Sequence, residues 1–347
     1  MISSDRLESI LATLPRLRIG LVGDLFLDRY LDLDPNLGET SIETGLEAYQ
    51  VTRVRNNPGA LGTVMNNLAA LGVGRLLPVT ILGDDGQAYD LLRELKKLPV
   101  DTRHIVQDAA RLTPTYTKPM RRDASGTWHE LNRIDLRNNA PPGRDTEARL
   151  IEQLDRLFPT VDGLVVLDQV NEENWGVITD GVREHLASLC RRDPNKIVLV
   201  DSRRSVGRFQ FGFLKPNVSE CLRALGRDEQ STTHDLAFAR EAALALSRHT
   251  GRPLFCTVGE AGMLAVGFAG PNSVAHVPGY RVSGPVDIVG AGDSATAGLV
   301  SALLSGAAPA EAAALGNLVA SITVQQLGTT GTASPEQLRA RWRECHS

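Results

Sequence analysis

The stretch Val286-Asp-Ile-Val-Gly-Ala-Gly-Asp-Ser-Ala-Thr-Ala-Gly298 sets small residues immediately before a helical pattern and places an acid, Asp293, in its first turn. A Gly-Ala-Gly turn at a helix start aims unpaired N–H groups and the positive end of the helix dipole at one point. Gly290, Ala291 and Gly292 therefore read as an anion hole. A carboxylate beside such a hole is costly unless it accepts a proton from an attacking hydroxyl, so Asp293 reads as a general base in phosphoryl transfer, with the hole stabilising charge on the group in transit. Two other readings compete. Gly290-x-Gly292-x-x-Ala295 formally matches a dinucleotide fingerprint with Glu311 about twenty residues on. Glu311, however, lies in an Ala-rich helical pattern instead of ending a second strand, and too little chain follows for a dinucleotide half-domain. A plain helix-capping loop is the other alternative. A Walker-type G-x-x-x-x-G-K-[ST] does not occur, so a kinase built on this chain is not a P-loop enzyme.

Composition narrows the rest. Among 347 residues, 42% are hydrophobic and 22% charged, close to globular averages, which excludes wholesale disorder and coiled coil. The 37 Lys+Arg stand against 41 Asp+Glu, a net charge of −4 that supplies no field for a nucleic-acid backbone. Cys190, Cys221, Cys256 and Cys345 form no C-x-x-C pair, and the histidines show no metal-ligand spacing. The first fifteen residues lack a basic-then-apolar leader, and no apolar run is long enough for a membrane span. The expectation is a cytoplasmic protein with a small-molecule substrate and neither nucleic-acid nor membrane partners.

The elements that must hold this chemistry alternate. Short apolar runs at Arg18–Gly23, Leu76–Leu82, Gly163–Leu167, Ile197–Val200, Phe213–Leu214 and Leu254–Val258 read as buried strands. Helical patterns lie at Leu61–Leu71, Tyr89–Leu98, Thr146–Leu157, Trp175–Leu189 and His234–Ser247, with three more segments, Ser294–Leu304, Ala310–Gln326 and Pro335–Trp342, after Asp293. Such alternation predicts an α/β fold: a doubly wound, mostly parallel sheet with helices on both faces. Glu47–Arg55, Thr115–Lys118 and Thr127–Asp135 alternate instead like half-exposed strands, the last two around the turn Asp123–Gly126. They predict a small β-sheet lid made of insertions at about 28–56 and 113–137 on one domain covering 1–347. Exposed edges on such a lid offer a surface for a homodimer.

With these residues in view, the chain resembles the ribokinase-type (PfkB) carbohydrate kinases over roughly residues 16 to 342. The second signature of that family ends in D-T-x-G-A-G-D, and the chain reads Asp287-Ile-Val-Gly-Ala-Gly-Asp293. Lys215-Pro-Asn-Val-Ser-Glu220 resembles its P-N-x-x-E element, and Thr257-Val-Gly-Glu-Ala-Gly262 its nucleotide-side strand and turn. Val22–Tyr30 and Asn57-Pro-Gly-Ala-Leu-Gly-Thr63 resemble the subgroup that phosphorylates heptose 7-phosphate, as do Ser283–Ala291 and Val324–Thr329. The resemblance implies ATP and Mg²⁺ as cofactors and a sugar or sugar-phosphate acceptor. Asn217 and Glu220 would hold magnesium, largely through water. Lys215, Asn217, Thr257, Gly259, Gly262 and Asn317 would line the ATP site; Asp24, Asn57, Gly59, Thr63, Arg133 and Asp168 the acceptor site. Asp287 is placed near a K⁺ site.

The departures are specific. Ala60 and Thr63 stand where the family has glycine and asparagine facing the sugar, and Ile288 and Val289 replace its threonines. No H-x-G-H of a nucleotidyltransferase follows, so the kinase step alone is expected. A nucleoside kinase on the same fold and a non-catalytic sugar or nucleotide sensor are the rival readings. Arg53, Arg55, Lys118, Arg121, Arg122 and Arg133 gather on the lid insertions, where arginine forks suit a phosphate. Asp28, Asp32, Asp34, Glu39, Glu43 and Glu47 oppose that field, and Arg133 in its R-x-D setting is the preferred contact. Asp201-Ser-Arg-Arg204 resembles a family D-P-K/R turn near the phosphates. Trp128 and Trp175 read as packing residues.

Overall fold

The computed structural model describes residues 2–123, 125–227, 235–328 and 330–346. Helix α1 (Ser4–Thr13) leads to β1 (Arg18–Gly23), and β2 (Leu25–Leu33) follows after a single residue. A short ribbon, β3 (Glu39–Thr40) and β4 (Glu47–Ala48), precedes β5 (Val51–Ala60), which runs directly into α2 (Leu61–Ala70). The chain continues through β6 (Arg75–Leu82), α3 (Gly86–Leu95), β7 (Ile105–Gln107), β8 (Thr115–Arg122), β9 (Trp128–Glu130) and β10 (Ile134–Leu136). Next come α4 (Arg144–Leu157), β11 (Gly163–Asp168), α5 (Asp180–Arg192), β12 (Ile197–Ser202), β13 (Phe213–Leu214), α6 (Val218–Ala224) and α7 (Leu236–Thr250). The last part is β14 (Leu254–Thr257), β15 (Met263–Val266), β16 (Val274–Val277), α8 (Ala291–Leu304), α9 (Pro309–Thr323) and α10 (Pro335–His346).

Nine strands form the main sheet in the order β16-β15-β14-β13-β12-β11-β1-β6-β7. All pairs are parallel except β14–β15 and β15–β16, which are antiparallel. Side chains alternate across a strand, and β1 shows the result: Ile19 and Leu21 pack with α1, α2, α8 and α9 on one face, Val22 with α4, α5 and α7 on the other. The Ala- and Gly-rich pattern after Asp293 lets α8 and α9 cross closely; a Cβ on Gly298 would stand 2.9 Å from Gly316 Cα.

The second sheet has the order β10-β8-β2-β5, with β9 on β8. Here the structure departs from the sequence expectation. The chain leaves the main sheet at Asp24, so β2 from Leu25 onward belongs wholly to the small sheet. The helix expected from Trp175 begins at Asp180, capped by the Thr179 hydroxyl, which leaves residues 169–179 as a loop at the strand ends. The hairpin β15–β16 carried no alternation to announce it. The expected positions His234 and Thr329 lie outside the described residues. Among the described residues, no helix is long and apolar enough to cross a membrane.

Candidate active site

β1 has β11 on one side and β6 on the other, so the strand order reverses at β1, and ligands of such sheets bind beyond the strand ends at that point. Asp24 and Asp168 flank it. Both are buried. The Asp24 carboxylate accepts backbone N–H groups from Gln169 (2.8 Å), Val170 (3.0 Å) and Val177 (2.8 Å). Burial raises its pKa against those three amides. Its geometry is that of a staple for the 169–177 loop more than of a free sugar reader. Asp168 accepts from the Ser202 hydroxyl at 2.7 Å and is pushed up to about 7 by burial and by Asp24.

A cleft of about 190 Å³ opens above these residues, between the strand ends and the small sheet. Its walls carry Arg111, Arg133, Arg137 and Arg203 beside Tyr116 and Trp175. Trp175, expected as a packing residue, is half-buried and borders this cleft. Three of the arginines are committed to the walls. Arg133 pairs with Asp135 through two bonds (2.7 and 2.8 Å) and lies 4.1 Å over the Tyr116 ring. Arg137 pairs with Glu172. Arg111 donates to the carbonyls of Ala140 (3.0 Å) and Trp175 (2.7 Å). Among the other expected basic residues, Arg55 pairs with Asp32 at 2.7 Å, Arg121 with Glu47 at 3.4 Å, and Arg122 lies over Trp128.

The small sheet contributes a row of which sequence reading named only Asn57. Asp28 stands opposite Asn57 on β5 and Tyr116 on β8, so the three share one face. Its carboxylate lies against Gly59, where a Cβ would come within 2.7 Å of Oδ2, and its nearest cation is Lys118 at 3.5 Å. Burial raises the Asp28 pKa against the pull of Lys118. The period-2 pattern Phe26, Asp28, Tyr30 carried the signal, but the short acidic and basic runs around it read as cancelling charge.

At the far end, α8 starts at Gly290, whose φ of +80° suits a residue without a Cβ. The amides of this turn are not equivalent. Ala291 donates back to the Ile288 carbonyl at 3.1 Å, whereas Gly292 and Asp293 occupy first-turn positions, where a helix supplies no internal acceptor. Thr63, buried on α2, brings its methyl beside Gly290, 3.5 Å from where a Cβ would be. Asp293 is raised to about 7, first by burial, then by the negative charge of Asp201, while Lys215 and Arg203 pull it down. Lys215 is buried, pairs with Asp201 at 2.9 Å, and sits 3.7 Å from the place a Gly292 Cβ would take. Thr296 Oγ1 donates to the same Asp201 carboxylate at 3.1 Å. The ammonium is thereby aimed at the helix start.

Asn217 and Glu220 form a reciprocal cap on α6: the Asn217 side chain accepts from the Glu220 amide at 2.8 Å, and the Glu220 carboxylate from the Asn217 amide at 2.8 Å. Burial and Asp201 push Glu220 up. Asp201, Glu220 and Asp293 thus crowd negative charge around one lysine, a setting that a divalent cation would relieve. Among the described residues no three acidic, histidine or cysteine groups are close enough to hold a metal alone, so such a cation needs water and phosphate ligands.

The strand end at Thr257 is bridged to Asn217, and its amide donates to Pro216 at 2.9 Å. Gly259 is open on its surface, whereas a Cβ on Gly262 would meet the Gly279 nitrogen at 2.3 Å. Asn317 is buried and its amide donates to the carbonyls of Val277 (3.0 Å) and Pro278 (3.2 Å), tying the end of β16 to α9. The Asp287 carboxylate accepts from Val289 (3.0 Å) and Gly328 (3.1 Å), joining two loops.

Known proteins match this arrangement. A family model described as pfkB family carbohydrate kinase covers residues 32–337. The bifunctional protein HldE of Trichlorobacter lovleyi is 32% identical over 340 residues, covering 96% of this chain and 64% of that protein. That of Geobacter sulfurreducens is 29% identical, with 95% and 64% covered. The chain thus spans about 64% of the length of these relatives. Phosphofructokinase-2 of Escherichia coli superposes with a TM-score of 0.69 at 18% identity, covering 95% of this chain and 100% of that one. Ribokinase of Thermotoga maritima gives 0.65 at 21%, with 94% and 99% covered. With a family match over residues 32–337 and the same fold in the solved structures, the chain belongs to the pfkB family of carbohydrate kinases.

Proposed function

We propose that this protein transfers the γ-phosphoryl group of ATP to a hydroxyl of a sugar phosphate, with a heptose-7-phosphate-like acceptor favoured. The observation that carries the reading is Asp293: a carboxylate raised to about 7 at the start of α8, next to free amides and the Lys215 ammonium. The acceptor hydroxyl oxygen attacks the γ-phosphorus, its proton passes to Asp293, and the bond to the β,γ-bridging oxygen breaks with its electron pair leaving on ADP. The amides of Gly292 and Asp293 with Lys215 bear the charge of the group in transit. Glu220, Asn217 and their bound water would hold Mg²⁺, which supplies neutralisation of the phosphates.

The acceptor lies in the arginine-walled cleft, its hydroxyls met by Asp28, Asn57 and Thr63 and its own phosphate by Arg133. Arg133 is oriented for that role by Asp135 and Tyr116. Asp24 acts by holding the 169–177 wall. ATP lies along Asn217, Thr257 and Gly259, with Gly262 and Asn317 fixing the backbone of that wall. A K⁺ ion, if bound, would be held by the loop carbonyls beside Asp287, since each Asp287 oxygen already serves an amide.

An ADP-release assay over heptose 7-phosphate, ribose, fructose, fructose phosphates and nucleosides tests the reading. The expected result is the highest kcat/KM with a sugar phosphate. A preference for nucleosides would replace the acceptor, and ATP binding without turnover on any acceptor would make the protein a sensor.

A further inference from the structure

Residues 169–179 form a loop beside the cleft whose backbone is fixed on every side of one aromatic residue. Asp24 takes amides from both limbs of this loop, Gln169 and Val170 on one and Val177 on the other. Gly176 permits the approach, since a Cβ there would stand 2.6 Å from Asp24 Oδ1. Asn174 has a left-handed φ of +64°, and its side-chain oxygen accepts from the Asp180 amide at 2.7 Å. Between these two lies Trp175, whose amide donates to the Glu172 carbonyl at 3.2 Å and whose carbonyl accepts from Arg111 at 2.7 Å. Its side chain is half-buried on the cleft wall. Among the described residues the indole has no aromatic or cationic partner, and its N–H has no acceptor. The other aromatic rings of the cleft are taken: Phe26 and Tyr116 pack edge to face at 5.2 Å, and Arg133 lies over Tyr116 at 4.1 Å.

We propose that Trp175 sets acceptor specificity: its indole face packs on the carbon–hydrogen face of a cyclic sugar, so that the cleft takes ring-closed sugar phosphates in preference to open-chain ones. The inference rests on the phosphotransfer reading above and narrows the acceptor class within it. A closed sugar ring gathers C–H bonds into one patch while its hydroxyls point outward, whereas an open chain presents no continuous patch. The neighbouring walls at Arg133, Asp135, Arg137 and Glu172 are charged and address hydroxyls and phosphate. A ligand with both an apolar face and an anionic group meets both kinds of wall. A tryptophan whose backbone is fixed in advance loses little freedom on making that contact, so more of the burial appears as affinity. Trp175 takes no part in the transfer of the phosphoryl group or of the proton.

The test uses the whole chain, with heptose 7-phosphate and its reduced open-chain form, heptitol 7-phosphate, as probes. In calorimetry without nucleotide the wild-type protein should prefer the ring. Trp175→Ala should bind heptose 7-phosphate about 20-fold more weakly and heptitol 7-phosphate within about threefold of wild type. Trp175→Phe, which keeps an aromatic face, should recover most of the lost affinity, and kcat at saturating heptose 7-phosphate should stay within about threefold in both variants. The other tryptophans are Trp128 and Trp342. A change of tryptophan emission on adding heptose 7-phosphate should therefore vanish in Trp175→Phe, while the remaining emission reports that the variant is folded. Equal weakening toward both probes would overturn the proposal, because a collapsed 169–179 loop does not tell ring from chain. So would an unchanged heptose 7-phosphate affinity in Trp175→Ala, or a wild-type protein that binds the two probes equally or not at all. A ring preference lost in Trp175→Ala, in a protein that releases no ADP, would remove the phosphotransfer reading and leave Trp175 its role in binding.

Discussion

Asp293 is held in an uncomfortable place, and its discomfort has two measurable signs. As a base it must be ionised, yet burial and Asp201 hold its pKa near 7. Turnover should therefore rise with pH through about 7 and level off above it. Asp293→Asn should lower turnover by at least about 10²-fold while ATP affinity is retained in calorimetry. Stability moves the other way. An unfolded aspartate ionises near 3.8, so between there and about 7 the folded protein binds the proton that the unfolded chain has lost. Folding stability from this group thus falls as pH rises across that window. Asp293→Asn should raise the melting temperature at pH 8 and leave it nearly unchanged at pH 4; equal melting at pH 8 would show that the carboxylate is not strained.

Elements explain which of these residues could be read from sequence. Ala60 is the N-cap of α2 with φ +51° and ψ −113°, a conformation natural to glycine and costing about 1–3 kcal/mol in other residues. Ala60→Gly should therefore raise the melting temperature despite the greater freedom it gives the unfolded chain; a lower melting temperature would mean the methyl packing outweighs the strain. The motif comparison marked this position as a departure, but only backbone geometry gives it an energy. Local signals were legible where one short segment carries the whole device: the Gly290–Asp293 turn, the Asn217–Glu220 cap and the strands that end beside them. What sequence concealed depends on pairing. Asp28, Asn57 and Tyr116 meet because β2 lies between β5 and β8, almost ninety residues apart in the last case. Trp175 is distinguished from Trp128 only by what lies beside each, the cleft in one case and Arg122 in the other. Asp24 and Asn317, expected at ligands, are turned to backbone by loops whose courses no periodicity encodes.

At the scale of the whole molecule, the small sheet is both a wall of the cleft and an exposed surface. Its outer part carries Tyr49, Val51, Val54, Trp128 and Ile134, all exposed apolar or aromatic side chains. A second copy packed there is the expected association, and sedimentation should give a dimer that Ile134→Glu dissociates; a monomeric mass at micromolar concentration would dispose of it. The main sheet has a different consequence. Strand β1 pairs Ile19 with Leu76 on one side and with Gly163 on the other. During synthesis from the N-terminus, β1 therefore stays open along one edge until nearly half the chain has left the ribosome. The nascent protein spends that interval with a bare apolar strand where the cleft will later stand, which makes the waiting time before Gly163 emerges its most aggregation-prone stage.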